Sequence, residues 1–125
     1  MPELPEVETV LSGLKQFMTD QKILEAKIFT KKIRNLVPKN MAKTLENKGV
    51  VGLYRRAKYI VIDLENNHSM ILHLGMSGVM KTYLKDGKKF EKDRHDHLWL
   101  KMEDGNEIVF RDPRRFGVLD LLPTG

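Results

Sequence analysis

The apolar residues of this chain change their spacing near residue 50, and that change restricts the folds open to it. Before it, Val7, Val10, Leu11, Leu14 and Phe17 recur at helical intervals, predicting an amphipathic helix over Pro5–Met18. Pro5 suits the first turn, and Glu6 and Glu8 favour its positive end. Lys22 to Phe29 reads as a strand. A second helix is expected from about Pro38 to Asn47, with Gly49 as its stop. From Val50 onward the period is two. Strands are expected at Val50–Arg56, Tyr59–Leu64, Met70–Leu74, Met80–Leu84, His97–Met102, Glu107–Arg111 and Val118–Leu122. Turn sequences join several of them: Glu65-Asn66-Asn67, Lys85-Asp86-Gly87 and Asp104-Gly105-Asn106. Short strands joined by tight turns pair antiparallel. The expected fold is therefore mixed α and β but mainly β: a two-sheet antiparallel β-sandwich flanked by an N-terminal helix and a second short helix. Its core should hold Val7, Val10, Leu14, Ile60, Ile62 and Leu72.

A chain of 125 residues makes one domain with a real core. With 41% hydrophobic residues and a mean hydropathy of -0.40, neither a disordered nor a membrane reading fits. No apolar run is long enough to span a bilayer, and the N-terminus lacks the pattern of a secretory signal. The absence of cysteine rules out disulfides and thiolate zinc sites in this chain, and it suits a reducing cytosol. The net charge of +5 and a pI near 9.5 admit a polyanionic partner. Basic residues gather at Lys31-Lys32-Arg34, Arg55-Arg56-Lys58, Lys85 to Arg94, and Arg111-Arg114-Arg115. The final Leu122-Pro123-Thr124-Gly125 reads as the start of a linker, so a longer protein is expected.

Several segments carry chemistry. Pro2 follows the initiator methionine, whose removal exposes a secondary amine. Such an amine is nucleophilic and forms an iminium with a sugar aldehyde carbon. Glu3 beside it could serve as acid or base. The competing reading makes Pro2 only a stiff start to the helix. Arg55-Arg56-Ala57-Lys58-Tyr59 places three cations between two strands, as a phosphate contact or as a solvated strand end. In His73-Leu74-Gly75-Met76-Ser77-Gly78, a strand runs into a loop with two glycines around a methionine. Met76 either stands exposed, where a thioether can slide between flat groups, or folds back into the core. His73 is equally open to reading as a plain strand histidine. Asp112-Pro113-Arg114-Arg115-Phe116-Gly117 combines two arginines and an aromatic on one loop. That mixture suits a nucleic-acid wedge, with Arg on an unpaired base edge and Phe in the stack; a turn with Phe inward is the other reading. His95-Asp96-His97 alternates across a strand, placing both histidines on one side. Two histidines without further ligands make a poor zinc site, so no metal site is assigned.

Together these segments resemble the formamidopyrimidine-DNA glycosylase family of bacterial base-excision repair enzymes. The resemblance rests on Pro2-Glu3-Leu4-Pro5-Glu6-Val7-Glu8-Thr9, Arg55-Arg56-Ala57-Lys58-Tyr59, His73-Leu74-Gly75-Met76-Ser77-Gly78, His95-Asp96-His97-Leu98 and Asp112-Pro113-Arg114-Arg115-Phe116-Gly117, in the family's order and at about its spacing. Leu4 separates the chain from the related endonuclease VIII group, which usually has glycine there. Leu11 and Ser12 stand where many family members carry basic residues.

The resemblance implies excision of an oxidised purine, 8-oxoguanine or a formamidopyrimidine, from duplex DNA. It implies that Pro2 attacks the sugar C1′, that Glu3 assists at the sugar ring, and that β,δ-elimination then cuts the strand. Lys58 would act with them. Lys58 and His73 would hold phosphates beside the flipped nucleotide, Arg55, Arg56 and Arg115 would add DNA contacts, and Met76, Arg114 and Phe116 would fill the gap it leaves. The chain corresponds to the family's N-terminal domain, residues 1–125. The family's helix–two-turns–helix domain, with its four-cysteine zinc finger, is missing from the sequence, so no cofactor is expected in this chain and one structural zinc in that other domain. Little activity is expected of this half alone. The expected partner is damaged double-stranded DNA, bound by a monomer in the bacterial cytosol and nucleoid, with no membrane. A noncatalytic DNA-binding module is the alternative, and the N-terminal amine discriminates, because a binding module has no use for it.

Overall fold

The structure, a computed structural model, describes residues 3–124. Helix α1 (Leu4–Met18) has Pro5 in its first turn, and the Glu3 carbonyl accepts the Glu6 and Val7 N–H groups at 3.0 and 3.1 Å. Its buried stripe is Val7, Leu11, Leu14 and Met18, with Val10 and Phe17 half-buried at the flank. Leu11 therefore belongs to the core; Ser12 is exposed.

The remaining elements are β1 (Lys22–Ile28), α2 (Met41–Leu45), β2 (Lys48–Arg56), β3 (Tyr59–Leu64), β4 (His68–His73), β5 (Val79–Tyr83), β6 (Asp96–Met102), β7 (Glu107–Arg111) and β8 (Val118–Pro123). All pairings are antiparallel, in the order β5-β7-β6-β1-β2-β3-β4-β8. The link between β1 and β2 is only Lys22↔Gly49 and Ile23↔Lys48, so the order divides into two four-stranded halves. Their apolar faces share one core. Ile23, Leu98, Leu100, Ile108 and Phe110 come from one half, and Ile60, Ile62, Met70, Leu72 and Leu119 from the other. The fold is the mainly β, helix-flanked sandwich that the alternation predicts, with Val7, Leu14, Ile60, Ile62 and Leu72 fully buried.

Local departures have local causes. α2 is five residues long, shorter than expected. Glu46 is already extended and Asn47 takes a left-handed φ of 62°, which turns the chain into β2 before Gly49 is reached. Gly49 is a strand residue whose N–H donates to the Glu65 carboxylate at 2.9 Å. In β2 a register shift leaves Val51 as the extra residue, 67% exposed, and this lets Val50 and Leu53 both face inward. A second shift falls at His97, between Asp96↔Arg111 and Leu98↔Phe110.

Two connections matter most for the site. The segments 74–78 and 112–117 each carry the chain from one half-sheet to the other. They lie side by side because their roots are paired, His73 with Val118 and Val79 with Arg111.

Candidate nucleic-acid interface

The 74–78 and 112–117 loops are fastened to each other below their tips. Gly75 has a φ of 64°, and a methyl placed on it would lie 2.6 Å from both the Gly117 nitrogen and the Phe116 carbonyl carbon. Backbone thus packs on backbone, which only glycine permits. Asp112 is fully buried. Its carboxylate accepts the Ser77 hydroxyl at 2.6 Å and the Gly117 N–H at 2.7 Å, and its main-chain oxygen lies 2.8 Å from His97 Nε2. The Ser77 oxygen in turn accepts the Arg114 N–H at 3.1 Å.

The tips project from this base. Met76 is 54% exposed and Phe116 is 45% exposed, and the Arg114 guanidinium stacks over the Phe116 ring at 5.0 Å. An exposed thioether, a ring and a planar cation are the three surfaces suited to a base stack and an unpaired base edge.

Arg115, identical to its neighbour in type, is employed differently. Its φ of 59° turns it away from Arg114. Its guanidinium donates to the Lys32 carbonyl at 2.8 Å and to the Thr30 hydroxyl at 3.2 Å. Arg115 therefore struts the 30–36 loop against the 112–117 loop. Asn35 supplies a second tie, exchanging hydrogen bonds with the Leu119 backbone at 3.0 and 3.3 Å.

His73 ends β4 and is only 4% exposed. Its Nδ1 accepts the Gly75 N–H at 3.0 Å, so the neutral ring carries its proton on Nε2, the form that donates to a phosphate oxygen. Burial pushes its pKa below the usual value, and the charges of Arg34 and Lys58 push it further. The Tyr59 ring meets His73 edge-on at 4.8 Å, joining the β2–β3 turn to the foot of the 74–78 loop. In that turn Ala57 takes a φ of 51°, and Lys58 is half-buried. Arg55 already has partners at the surface, paired with Glu8 of α1 and donating to the Ala57 carbonyl at 2.8 Å. Arg56 is exposed.

Glu3 is exposed at the head of α1, and Pro2 lies outside the described residues. An open cleft of about 430 Å³ separates the first turns of α1, at Glu6 and Val10, from the run Leu74–Met80. The head of α1, the β2–β3 turn, and the 30–36, 74–78 and 112–117 loops thus converge. Of the residues singled out in the sequence, Lys58, His73, Met76, Arg114 and Phe116 come together there; Arg55 and Arg115 stand among them as ties. Asp112, Ser77, Arg34 and Glu8 are added by the structure. The sequence marked Ser77 only by its place after Gly75, Asp112 only as the Asp-Pro opening of the loop, Arg34 only as one of a basic cluster and Glu8 only as a charge at the helix start.

The His95-Asp96-His97 segment departs from simple alternation because His97 is the extra residue of a bulge. His95 stays at the surface beside Arg94 at 3.2 Å, His97 is buried under Asp112, and Asp96 forms a two-pronged bond to Arg111 at 2.7 and 3.3 Å. With no cysteine in the sequence, and no cluster of three His, Asp or Glu among the described residues, these residues do not fit the zinc implied for the family's other domain.

Residues 1–119 match the family model described as the formamidopyrimidine-DNA glycosylase N-terminal domain. The chain belongs to this family. A formamidopyrimidine-DNA glycosylase of Cereibacter sphaeroides is 45% identical over 129 residues, which cover 99% of this chain and 46% of that protein. One from Paracoccus denitrificans is 42% identical over 130 residues, covering 100% and 46%. The chain spans about half the length of the curated relatives it matches. Among solved structures, the Lactococcus lactis family member in complex with FAPY-dG-containing DNA superposes with a TM-score of 0.84 at 30% identity, over 98% of this chain and 44% of that one. The same protein bound noncovalently to DNA with an AP site gives 0.85 at 30% identity, over 98% and 46%.

Proposed function

We propose that this chain is the N-terminal, catalytic half of a DNA glycosylase and lyase that removes oxidised purines from duplex DNA. The convergence of the five segments carries the reading. Met76 lines the cleft beside the head of α1, where Glu3 is exposed, the Arg114 guanidinium stacks over Phe116 on the neighbouring loop, and Tyr59 joins the turn that carries Lys58 to His73. The relatives' names and the damaged-DNA complexes support it.

In this mechanism the damaged nucleotide leaves the stack, because a terminal amine cannot reach its sugar inside a duplex. Met76 and Phe116 fill the vacancy, and Arg114 donates to the orphaned base. The Pro2 nitrogen attacks C1′, the bond from C1′ to the base breaks, and the base departs carrying the proton lost from the Pro2 nitrogen. Glu3 protonates the ring oxygen as the sugar opens, leaving an iminium between Pro2 and C1′. The iminium acidifies the C2′ hydrogen; its loss expels the 3′ phosphate, and a second elimination expels the 5′ phosphate. Lys58 and the Nε2–H of His73 hold the flanking phosphates throughout. Arg56 is free to add a further contact, while Arg55 and Arg115 serve through the turns they hold. The reading takes damaged duplex DNA as partner and a monomer of the bacterial cytosol and nucleoid as the working form. The second domain, with its zinc, supplies the remaining DNA grip, so this half alone acts weakly.

Borohydride reduction of the protein on a duplex with an abasic site is the test. Protein with a free Pro2 should give a covalent adduct through that residue, weakly for the 125-residue chain. Protein retaining Met1 should give none. Equal trapping by both removes Pro2 from the mechanism, and binding without any trapped adduct makes the chain a noncatalytic DNA-binding module.

A further inference from the structure

We infer that Ser77 and Asp112 form a clasp that sets lesion selectivity, by fixing the residue that enters the gap against the residue that faces the orphaned base. The inference rests on the proposed reading of Met76, Arg114 and Phe116 as a wedge. Ser77 is one peptide from Met76, and its oxygen accepts the Arg114 N–H at 3.1 Å. It also donates to Asp112 at 2.6 Å, and the other carboxylate oxygen of Asp112 takes the Gly117 N–H at 2.7 Å. The tripeptide Arg114–Phe116 is thereby held at both ends, its side chains left to project. Met76 and Arg114 come from loops whose separation in sequence gives them no reason to keep station. The hydroxyl of Ser77 is a direct polar link between them, and a buried carboxylate anchors it.

None of these groups need touch DNA, so both are positioning residues. Their loss should leave phosphate-driven affinity intact and degrade discrimination, since phosphate contacts carry attraction and groove contacts carry selection.

A double-mutant cycle on Ser77→Ala and Arg114→Ala tests this. The readouts are binding to an abasic-site duplex and to the undamaged duplex, with 2-aminopurine placed opposite the abasic site to report the orphaned base. Ser77→Ala should lower the preference for the abasic duplex about tenfold. It should remove most of the 2-aminopurine response, leave the salt dependence unchanged, and add little once Arg114 is already Ala. Ser77→Thr keeps the hydroxyl and should restore the response. Asp112→Asn should act in the same direction, but its buried site endangers folding, so Ser77 carries the test and thermal melting accompanies each variant. Two results overturn the clasp: a Ser77→Ala protein with full preference and response, or losses that add independently of Arg114. An Arg114→Ala protein with undiminished preference overturns the wedge reading itself, and the clasp with it.

Discussion

Two basic segments of this protein invite the same reading in sequence and are built in opposite ways. The 112–117 loop carries two arginines, and nearly all its anchorage lies underneath: the Asp112 carboxylate, the Gly75 contact and the Arg115 strut. The 84–95 loop carries more cations, Lys85, Lys88, Lys89, Lys92 and Arg94, yet it is anchored mainly at its ends. There Lys85 N–H meets Asn106 at 2.9 Å, and Asp93 N–H meets Asp96 at 2.7 Å. Between them the residues are mostly exposed, steadied by Phe90 edge-on to Tyr83 at 5.6 Å. Number of charges does not distinguish a loop braced at its base from a solvated one. The difference lies in whether the backbone beneath the charges is held.

The largest expected contrast is between glycines. Gly75→Ala forces a methyl to within 2.6 Å of the Gly117 nitrogen at a φ of 64°, and should cost roughly 3 kcal/mol or more of stability in thermal or urea melts. Gly87→Ala in the other loop meets nothing nearer than the Leu84 carbonyl oxygen at 3.4 Å and should stay within about 0.5 kcal/mol. Equal costs would dissolve the distinction between the loops.

The next effect is a pH dependence at the foot of the 74–78 loop. Burial, reinforced by Arg34 and Lys58, holds the folded pKa of His73 below its ordinary value. As pH falls through about 6.5, the unfolded ring gains a proton that the folded ring refuses. The stability due to this group is therefore complete above that pH, and is lost progressively down to the folded pKa. The slope is at most about 1.4 kcal/mol per pH unit for one proton. His73→Gln should flatten that part of a stability-versus-pH curve; an unchanged curve would show that His73 protonates freely when folded.

The smallest contrast is in DNA affinity. Lys58→Ala should reduce the logarithmic salt slope of binding by about one unit, the signature of one lost phosphate contact. Lys89→Ala, in the loosely held loop, should change it by clearly less. The reverse order would move the DNA path onto the 84–95 loop.

Most of the sandwich was legible because burial imposes a period, and a period survives in sequence. Ile60, Ile62 and Leu72 fall where alternation puts them, and Val7 and Leu14 where a helical stripe does. Legibility failed where one residue broke the count, at the bulged His97, or where backbone conformation outweighed side-chain pattern, at Asn47. At the site the exposed parts were readable, since Met, Arg and Phe on glycine-bearing loops are unusual. Their supports were not. Asp112 and Ser77 are 35 positions apart, and Arg55 and Glu8 are 47 apart, so only the folded topology makes them partners. Arg114 and Arg115 are adjacent and chemically identical, and a single left-handed φ gives them different work.

The 74–78 and 112–117 loops are also the places where the chain crosses from one half-sheet to the other, with their roots paired at both ends. If the tips act as the proposed wedge, the stacked bases push back on them. On an ordinary hairpin that thrust would bend one pair of strands about its turn. At these crossings it would be delivered into β4 and β8 on one side and β5 and β7 on the other, whose paired roots rest on a shared, filled core. The sandwich is in this sense an anvil: close packing chosen to exclude water also makes the molecule stiff along the line in which it would have to push.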